Sequence, residues 1–206
     1  MAALVVSNLA VQRGGVVLLQ GLDFTVPAGE ALVLRGPNGV GKTSLLRTLA
    51  GLQPPVRGRV AGAGEDAAYA SHADGVKAQL TVRENLEFWA GVHGRVLDES
   101  VFALFDLASL RDRLAGLLSA GQRRRLGLAR LAVAGRRVLL LDEPTVSLDS
   151  ASVERFVRWL GETHLDGGGI AVIATHIDLG LEAPVLDLVD FRAPADAPGG
   201  AHEAFL

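Results

Sequence analysis

The stretch that decides the fold of this chain reads Gly36-Pro37-Asn38-Gly39-Val40-Gly41-Lys42-Thr43-Ser44. It fits the phosphate-loop pattern G-x-x-x-x-G-K-[ST] and lies between an apolar run of strand length and a segment with helical periodicity. The glycines let the backbone curl so that N–H groups point at an anion, and the helix that follows adds the positive end of its dipole. The stretch therefore predicts a nucleoside triphosphate site, in which Lys42 reaches the β- and γ-phosphates and Thr43 ligates Mg²⁺.

Composition limits the classes of protein that remain. A chain of 206 residues is one domain of ordinary size, with room for a subdomain but not for a second catalytic domain. The net charge of −3 provides no basic field for nucleic acid, so we expect no nucleic-acid partner. The absence of cysteine excludes disulfides and thiolate metal sites. Mean hydropathy is high at +0.31, yet no apolar run approaches the ~18 residues of a membrane span, so the apolar excess favours an interface.

The residues before the phosphate loop predict a small antiparallel sheet. Three runs of strand length, at residues 4–13, 16–19 and 22–26, are separated by glycine-containing breaks. Two further short strands are predicted after the phosphate-loop helix, at residues 58–61 and 67–70, with a turn-rich segment between them.

From Thr81 onward, the spacing of the apolar residues changes from the period of strands to the period of helices. Amphipathic helices then follow one another without intervening strands, as far as a helix predicted at residues 119–134. We therefore expect a helical subdomain, at about residues 75–135, inserted into an α/β core.

The last third of the chain predicts the rest of that core. Buried strands at residues 137–141 and 170–174 flank a helix at residues 150–164, which indicates a mostly parallel sheet with helices on both faces. The fold class is thus α/β, as a single domain over residues 1–206. We expect residues 193–206, which are rich in proline and glycine, to form a flexible tail.

Two adjacent carboxylates, Asp142 and Glu143, end the buried run at residues 137–141 in the Walker B arrangement. Strand alternation predicts that the two side chains face different ways. Asp142 is expected to hold Mg²⁺ through its water shell, and Glu143 to orient or deprotonate the water that attacks the γ-phosphorus. Taken alone, the pair fits a buried strand with an acidic exit equally well, but the phosphate loop upstream favours catalysis.

The segment Leu118-Ser119-Ala120-Gly121-Gln122 narrows the class further. Ser119 and Gln122 have the spacing of a capping box, and a helix N-terminus with a glycine in its first turn is also an anion site. With this segment the chain resembles the ATP-binding cassettes of ABC-type ATPases, which are P-loop NTPases. The resemblance implies a homodimer that sandwiches two ATP molecules head to tail, with Ser119, Gly121 and Gln122 of one protomer on the ATP of the other. Ala120 replaces the first glycine of the family's segment.

Other positions match the same family. Residues 147–149 match its D-loop at the dimer seam, and His176 matches its switch histidine, so the resemblance implies catalysis by Glu143, His176 and Lys42 together. Arg13 stands where the family has an aromatic residue that stacks on adenine, and a guanidinium plane can stack on a base in its place.

The family's Q-loop glutamine has no direct counterpart in this chain. His72 occupies the equivalent place, either as its replacement or as a loop residue without a ligand. If His72 does replace the glutamine, coupling between the metal site and a membrane partner becomes sensitive to pH near the titration range of histidine. An ATPase pH profile unchanged in His72→Gln would contradict that hypothesis.

Four arginines, Arg123, Arg124, Arg125 and Arg130, lie on the helix that the L-S-A-G-Q segment begins. They fit a solvated helix face and a surface for the dimer or a membrane partner equally well, and the sequence leaves both interpretations open.

One group of cassettes in particular is similar in its short chain, in residues 72–86 with a histidine where other cassettes have glutamine, and in an L-S-A-G-Q segment followed by two arginines. This is the ATP-binding subunit of the haem-exporter complex of bacterial cytochrome c maturation. The resemblance implies ATP and Mg²⁺ as cofactors, integral-membrane transporter subunits as partners, and a peripheral location at the cytoplasmic face of the inner membrane. A cassette of another transporter would share every catalytic residue. A non-transport ABC ATPase is disfavoured because the chain has neither long insertions nor a second cassette, and a non-hydrolysing cassette because the catalytic residues are in place.

Overall fold

The computed structural model of the chain describes residues 3–71 and 73–194. His72 and most of the predicted tail, residues 195–206, lie outside the described residues. The strands are β1 (Ala3–Arg13), β2 (Val16–Pro27), β3 (Ala31–Arg35), β4 (Arg57–Ala61), β5 (Ala67–Ala70), β6 (Val138–Asp142), β7 (Ile170–Ala174) and β8 (Val185–Asp187). The helices are α1 (Lys42–Leu49), α2 (Val82–Val92), α3 (Ser100–Leu104), α4 (Ala120–Ala134) and α5 (Ser150–Arg158), which a π-helical turn, Trp159–Leu165, continues.

A five-stranded parallel sheet, in the order β5-β6-β7-β3-β8, forms the centre of the molecule. Both faces of this sheet are covered, and its middle strands are therefore apolar throughout. In β6, Leu139 and Leu141 pack against the side that carries α2 to α5. Val138 and Leu140 pack against the opposite side, which carries α1 and the antiparallel sheet. The predicted α/β class is confirmed. Since parallel strands end at one edge of a sheet, the segments that follow β3, β6 and β7 converge there.

The antiparallel sheet has the order β2-β1-β4, and one part of its prediction is wrong. Residues 16–19 and 22–26 belong to a single strand, β2, and the third strand is β4, which pairs with β1. Gly21 adopts a left-handed φ of 68°, so the glycine that predicted a break makes an irregularity within a continuous strand instead.

The helices α2, α3 and α4 lie within the connection between β5 and β6, and both α2 and α3 pack on α4. Their place in the chain agrees with the expected helical insertion, although the division into core and subdomain stays a prediction. Across the described ranges, no helix has both the length and the apolar character of a membrane span.

Candidate active site

The phosphate loop joins β3 to α1 through a backbone that requires glycine. Gly36 and Gly41 have φ values of 134° and 123°, and a Cβ on Gly41 would lie 2.9 Å from the Leu19 side chain. Gly41 is the N-cap of α1 and has no side-chain oxygen to offer, so the first turn of the helix keeps N–H groups for another acceptor. This geometry suits an anion.

Lys42 is held by the loop that precedes it. Its Nζ donates to the carbonyl oxygens of Gly36 at 2.7 Å and Pro37 at 3.3 Å, and its side chain is almost buried. Burial lowers the pKa of Lys42, and the charges of Glu143 and Asp142 oppose that shift. The ammonium group is therefore positioned by backbone oxygens beside two carboxylates.

Asp142 is the last residue of β6, and one of its carboxylate oxygens accepts hydrogen bonds from two hydroxyl groups. Thr43 Oγ1 donates to Asp142 Oδ2 at 2.7 Å, and the Tyr69 hydroxyl donates to the same atom at 3.3 Å. Burial, followed by the charge of Asp142, raises the pKa of Tyr69 to about 12, so this hydroxyl stays a donor. Tyr69 was not predicted as a site residue, and its one signal in the sequence was a polar group in a strand, β5, that otherwise consists of alanine.

Glu143 lies just beyond β6 in an unusual conformation. Its φ is +48°, which is uncommon for a residue other than glycine, and its N–H donates to Ala174 O at 2.9 Å. Asp142 and Glu143 both line one cavity, and the expectation that their side chains face different ways stays a prediction. Because β6 ends at Asp142, the left-handed backbone of Glu143, and not the pleat of the strand, sets the direction of the second carboxylate.

His176 follows β7 and meets the phosphate loop. Its Nε2 lies 3.2 Å from Lys42 Nζ and 3.1 Å from Asn38 Oδ1, so either tautomer of the ring finds a partner. Arg35, at the end of β3, donates to the carbonyl oxygens of the two residues that flank the histidine, Thr175 and Ile177. This contact was not predicted, and its only signal in the sequence was a charged residue at the end of the apolar strand β3.

These residues surround a cavity of about 140 Å³ at the sheet edge. Its lining consists of Arg13, Leu18, Asn38, Gly39, Gly41, Lys42, Thr43, Ser44, Asp142, Glu143 and His176. The structure thus brings most of the predicted site residues together. Gly36 and Pro37 take part through their carbonyl contacts with Lys42, and Val40 is buried against Gly36.

The residues of the L-S-A-G-Q segment lie elsewhere. Ser119, Gly121 and Gln122 are not among the residues that line the cavity within the described ranges. They begin α4 with a complete capping box, in which Ser119 Oγ accepts from Gln122 N–H at 3.2 Å and Gln122 Oε1 accepts from Ser119 N–H at 2.9 Å. A Cβ on Gly121 would lie 3.0 Å from Ser147 O, so the start of α4 packs against the predicted D-loop.

The interpretation of the arginines on α4 needs correction. Arg124 is 5% exposed and bonded inside the protein, so for this residue both a solvated face and a partner surface are wrong. Arg125 pairs with Asp106, and the guanidinium of Arg130 lies 4.7 Å from the centre of the Trp89 ring. A run of charges could not reveal this, because helical periodicity turns successive arginines to different neighbours.

Comparison with known proteins gives consistent results. A family model described as ABC transporter matches residues 19–146. The Rhodobacter capsulatus protein named "Cytochrome c biogenesis ATP-binding export protein CcmA" is 58% identical over 206 residues, covering 100% of this chain and 96% of the relative. A protein of the same name from Paracoccus denitrificans is 57% identical over 211 residues and covers 100% of both chains.

A solved structure supports the fold independently. The ATP-binding protein of an ABC transporter from Pyrococcus furiosus matches with a TM-score of 0.83 at 23% identity, covering 93% of this chain and 100% of that one. The chain therefore belongs to the ABC transporter family, as an ATP-binding and ATP-hydrolysing cassette, and within it to the group of proteins named CcmA.

Proposed function

We propose that this chain is the ATPase subunit of an export complex in cytochrome c biogenesis, and that the complex handles haem. The observation that carries the proposal is the 58% identity, over the whole chain, to a protein named for cytochrome c biogenesis and ATP-binding export. Haem goes beyond that name and rests on the resemblance of residues 72–86 to the haem-exporter group. No described residue is assigned to a haem contact.

Magnesium fits the residues at the cavity. Thr43 and Asp142 offer a hydroxyl and a buried carboxylate in direct contact, and such hard oxygen donors suit Mg²⁺. In the part of the chain that the structure describes, no cluster of three or more His, Asp or Glu side chains could hold a metal by itself. Thr43 and Asp142 would therefore hold the ion together with phosphate oxygens and water, and the ion would supply charge neutralisation between the β- and γ-phosphates.

Lys42, His176 and Glu143 have separate roles in the proposed hydrolysis of ATP. Lys42 neutralises charge on the transferred phosphoryl group, and His176, which lies beside it, contacts the same group. Glu143 orients the attacking water or takes its proton, because it lines the cavity and its carboxylate is not committed to an ion pair with a lysine or arginine in the described residues. The water attacks the γ-phosphorus in line, and ADP leaves.

The proposed assembly is a head-to-tail dimer on integral-membrane subunits. Because Ser119, Gly121 and Gln122 lie away from the cavity of their own chain, a second copy would supply them to the γ-phosphate. We further propose that the dimer is attached peripherally at the cytoplasmic face of the inner membrane, where closure around ATP would drive the membrane subunits.

The catalytic assignment is tested with Glu143→Gln. This variant should bind ATP with near-parent affinity and accumulate as an ATP-bound dimer, which size-exclusion chromatography with radiolabelled ATP would detect. Glu162→Gln, on the exposed surface of the π-helical turn, is the matched control and should turn over normally. Lys42→Ala should lose ATP binding or turnover. Hydrolysis by Glu143→Gln at the parent rate would refute the role given to Glu143.

The biological assignment is tested by affinity capture from gently solubilised native membranes, with the partners identified by mass spectrometry. Recovery of cytochrome c maturation membrane proteins, absent from a tag-only control, is the expected result. Recovery of an unrelated permease instead would leave the ATPase chemistry intact and exclude the haem assignment.

A further inference from the structure

The side chain of Arg124 lies inside the protein, where three segments meet. Its Nε donates to Pro144 O at 2.8 Å, its Nη1 to Ser71 O at 2.8 Å and Asp74 Oδ1 at 2.9 Å, and its Nη2 to Glu143 O at 2.7 Å. All three guanidinium nitrogens are thus engaged by four oxygens. The contacts join the N-terminal half of α4, the segment after β5 and the turn after β6.

Glu143 depends on its backbone for the direction of its carboxylate. Its left-handed φ of +48° is unfavourable for glutamate and persists where neighbouring groups enforce it. Three contacts do so: the N–H donates to Ala174 O at 2.9 Å, and the carbonyl accepts from Arg124 Nη2 at 2.7 Å and, at the longer distance of 3.4 Å, from Val146 N–H. The side chain adds little, because Oε1 is buried, accepts no hydrogen bond from the residues described, and lies 3.4 Å from His176 Nε2, which is too long for a firm bond.

We propose that Arg124 is a positioning residue for ATP hydrolysis, which holds Glu143 in the left-handed conformation that turns its carboxylate into the cavity. The inference rests on the proposed role of Glu143. Arg124 itself is not among the residues that line the cavity, within the described ranges, so it acts through the backbone of Glu143 and not on the nucleotide. Losing it should therefore change the chemical step more than ATP binding.

The same guanidinium ties Glu143 to the segment after β5. Asp74 pairs with Arg124 and packs against α4 so tightly that a Cβ on Gly127 would lie 2.8 Å from the Asp74 Cβ. Trp89 Nε1 donates to Gly75 O at 3.3 Å and fixes the next residue. A displacement of residues 73–75 would therefore pull on Arg124 and, through it, on the Glu143 carbonyl.

Arginine is the side chain that suits this place. Its planar fork reaches acceptors in several directions at once, whereas an ammonium group is a single point and an amide has two donor hydrogens. Lysine in place of Arg124 would keep the charge opposite Asp74 but could not reach Ser71, Pro144 and Glu143 together. Replacement of Arg124 by lysine should therefore remove some of its hydrogen bonds, and replacement by glutamine should remove more.

The experiment compares Arg124→Gln, Arg124→Lys and a matched control, Arg125→Gln. Arg125 lies on the same helix and also bonds a carbonyl and a carboxylate, both of Asp106, but does not touch Glu143. We expect kcat to fall on the order of 10- to 100-fold in Arg124→Gln, since a small displacement of a catalytic group has such an effect. The KM for ATP should stay within about threefold, because the lost interaction belongs to the transition state. Arg124→Lys should have an intermediate kcat, and Arg125→Gln a parent kcat, with thermal unfolding recorded for each.

Three results would overturn the inference: a parent kcat in folded Arg124→Gln, an equal fall of kcat in Arg125→Gln, or a rise of KM without a fall of kcat. If Arg124→Gln does not fold, a parent kcat in Arg124→Lys would overturn it instead. Glu143→Gln is measured in parallel. If that variant hydrolyses ATP at the parent rate, the proposed role of Glu143 fails. If it is inactive while Arg124→Gln is fully active, only the role of Arg124 fails.

Discussion

Replacement of Arg35 by alanine should slow ATP hydrolysis by loosening the segment that carries His176. The Arg35 guanidinium donates to Thr175 O and, at 2.7 Å, to Ile177 O, and so brackets the histidine from both sides. The strand β7 ends at Ala174, so these bonds are what fixes the backbone beyond it to the end of β3. Without them, His176 would leave the position from which it contacts Lys42 and Asn38.

The size of the effect follows from the two bonds. A hydrogen bond from a charged donor contributes about 1.5–3 kcal/mol when desolvated. Arg35 is only partly buried, so water would replace part of that contribution. We take about 1–2 kcal/mol for the pair, which is a factor of about 5–30 in the fraction of molecules with an ordered segment. Arg35 also helps to lower the pKa of Lys42, so its loss would favour the charged lysine and leave phosphate binding intact.

The assay is steady-state ATP hydrolysis by Arg35→Ala, His176→Ala and the double variant, with the exposed Arg158→Ala as control. If Arg35 acts through His176, kcat should fall in Arg35→Ala, and the double variant should match His176→Ala because the two effects do not add. The reasoning is refuted if Arg35→Ala lowers kcat by the same factor whether or not His176 is present.

Three further predictions concern packing, capping and titration. Phe102→Ala removes a fully buried ring that has the Arg111 guanidinium 4.5 Å from its centre. The free energy of unfolding, measured in urea, should therefore fall by about 3–5 kcal/mol, and a fall below about 1 kcal/mol would contradict the packing described. Thr81→Ala removes one half of the capping box at the start of α2 and should lower the free energy of unfolding by about 1 kcal/mol. Because the cap is expected to affect stability alone, kcat should not change, and a fall in kcat would contradict this expectation. Burial lowers the pKa of His164 below its ordinary value of 6.5, so the unfolded chain takes up a proton first and the free energy of unfolding should fall as the pH drops below about 6.5. His164→Gln should remove part of this fall in denaturation curves at pH 5 to 7, and an unchanged slope would contradict it.

Patterns that are local in the chain could be interpreted from the sequence. The phosphate loop is defined by backbone geometry over a few residues, so its glycines, Lys42 and Thr43 were recognisable without a fold. The capping box joins Ser119 to Gln122, three positions further along the chain, and is present in the structure as predicted. Together with the Walker B carboxylates, these motifs indicated the α/β class and the ABC family, and both are confirmed. The roles of the individual site residues stay predictions.

Contacts between distant segments depended on the tertiary structure. Thr43 meets Asp142 across 99 positions and Arg35 meets Thr175 across 140, because the sheet places β3 beside β7 and β7 beside β6. Nothing in a run of arginines distinguishes the buried Arg124 from its neighbours. The sequence by itself determined which local motifs the chain carries, since these are encoded within a turn or a strand. Only the tertiary structure decided which side chains support them, since that depends on the order of the strands and on the backbone conformation where each strand ends.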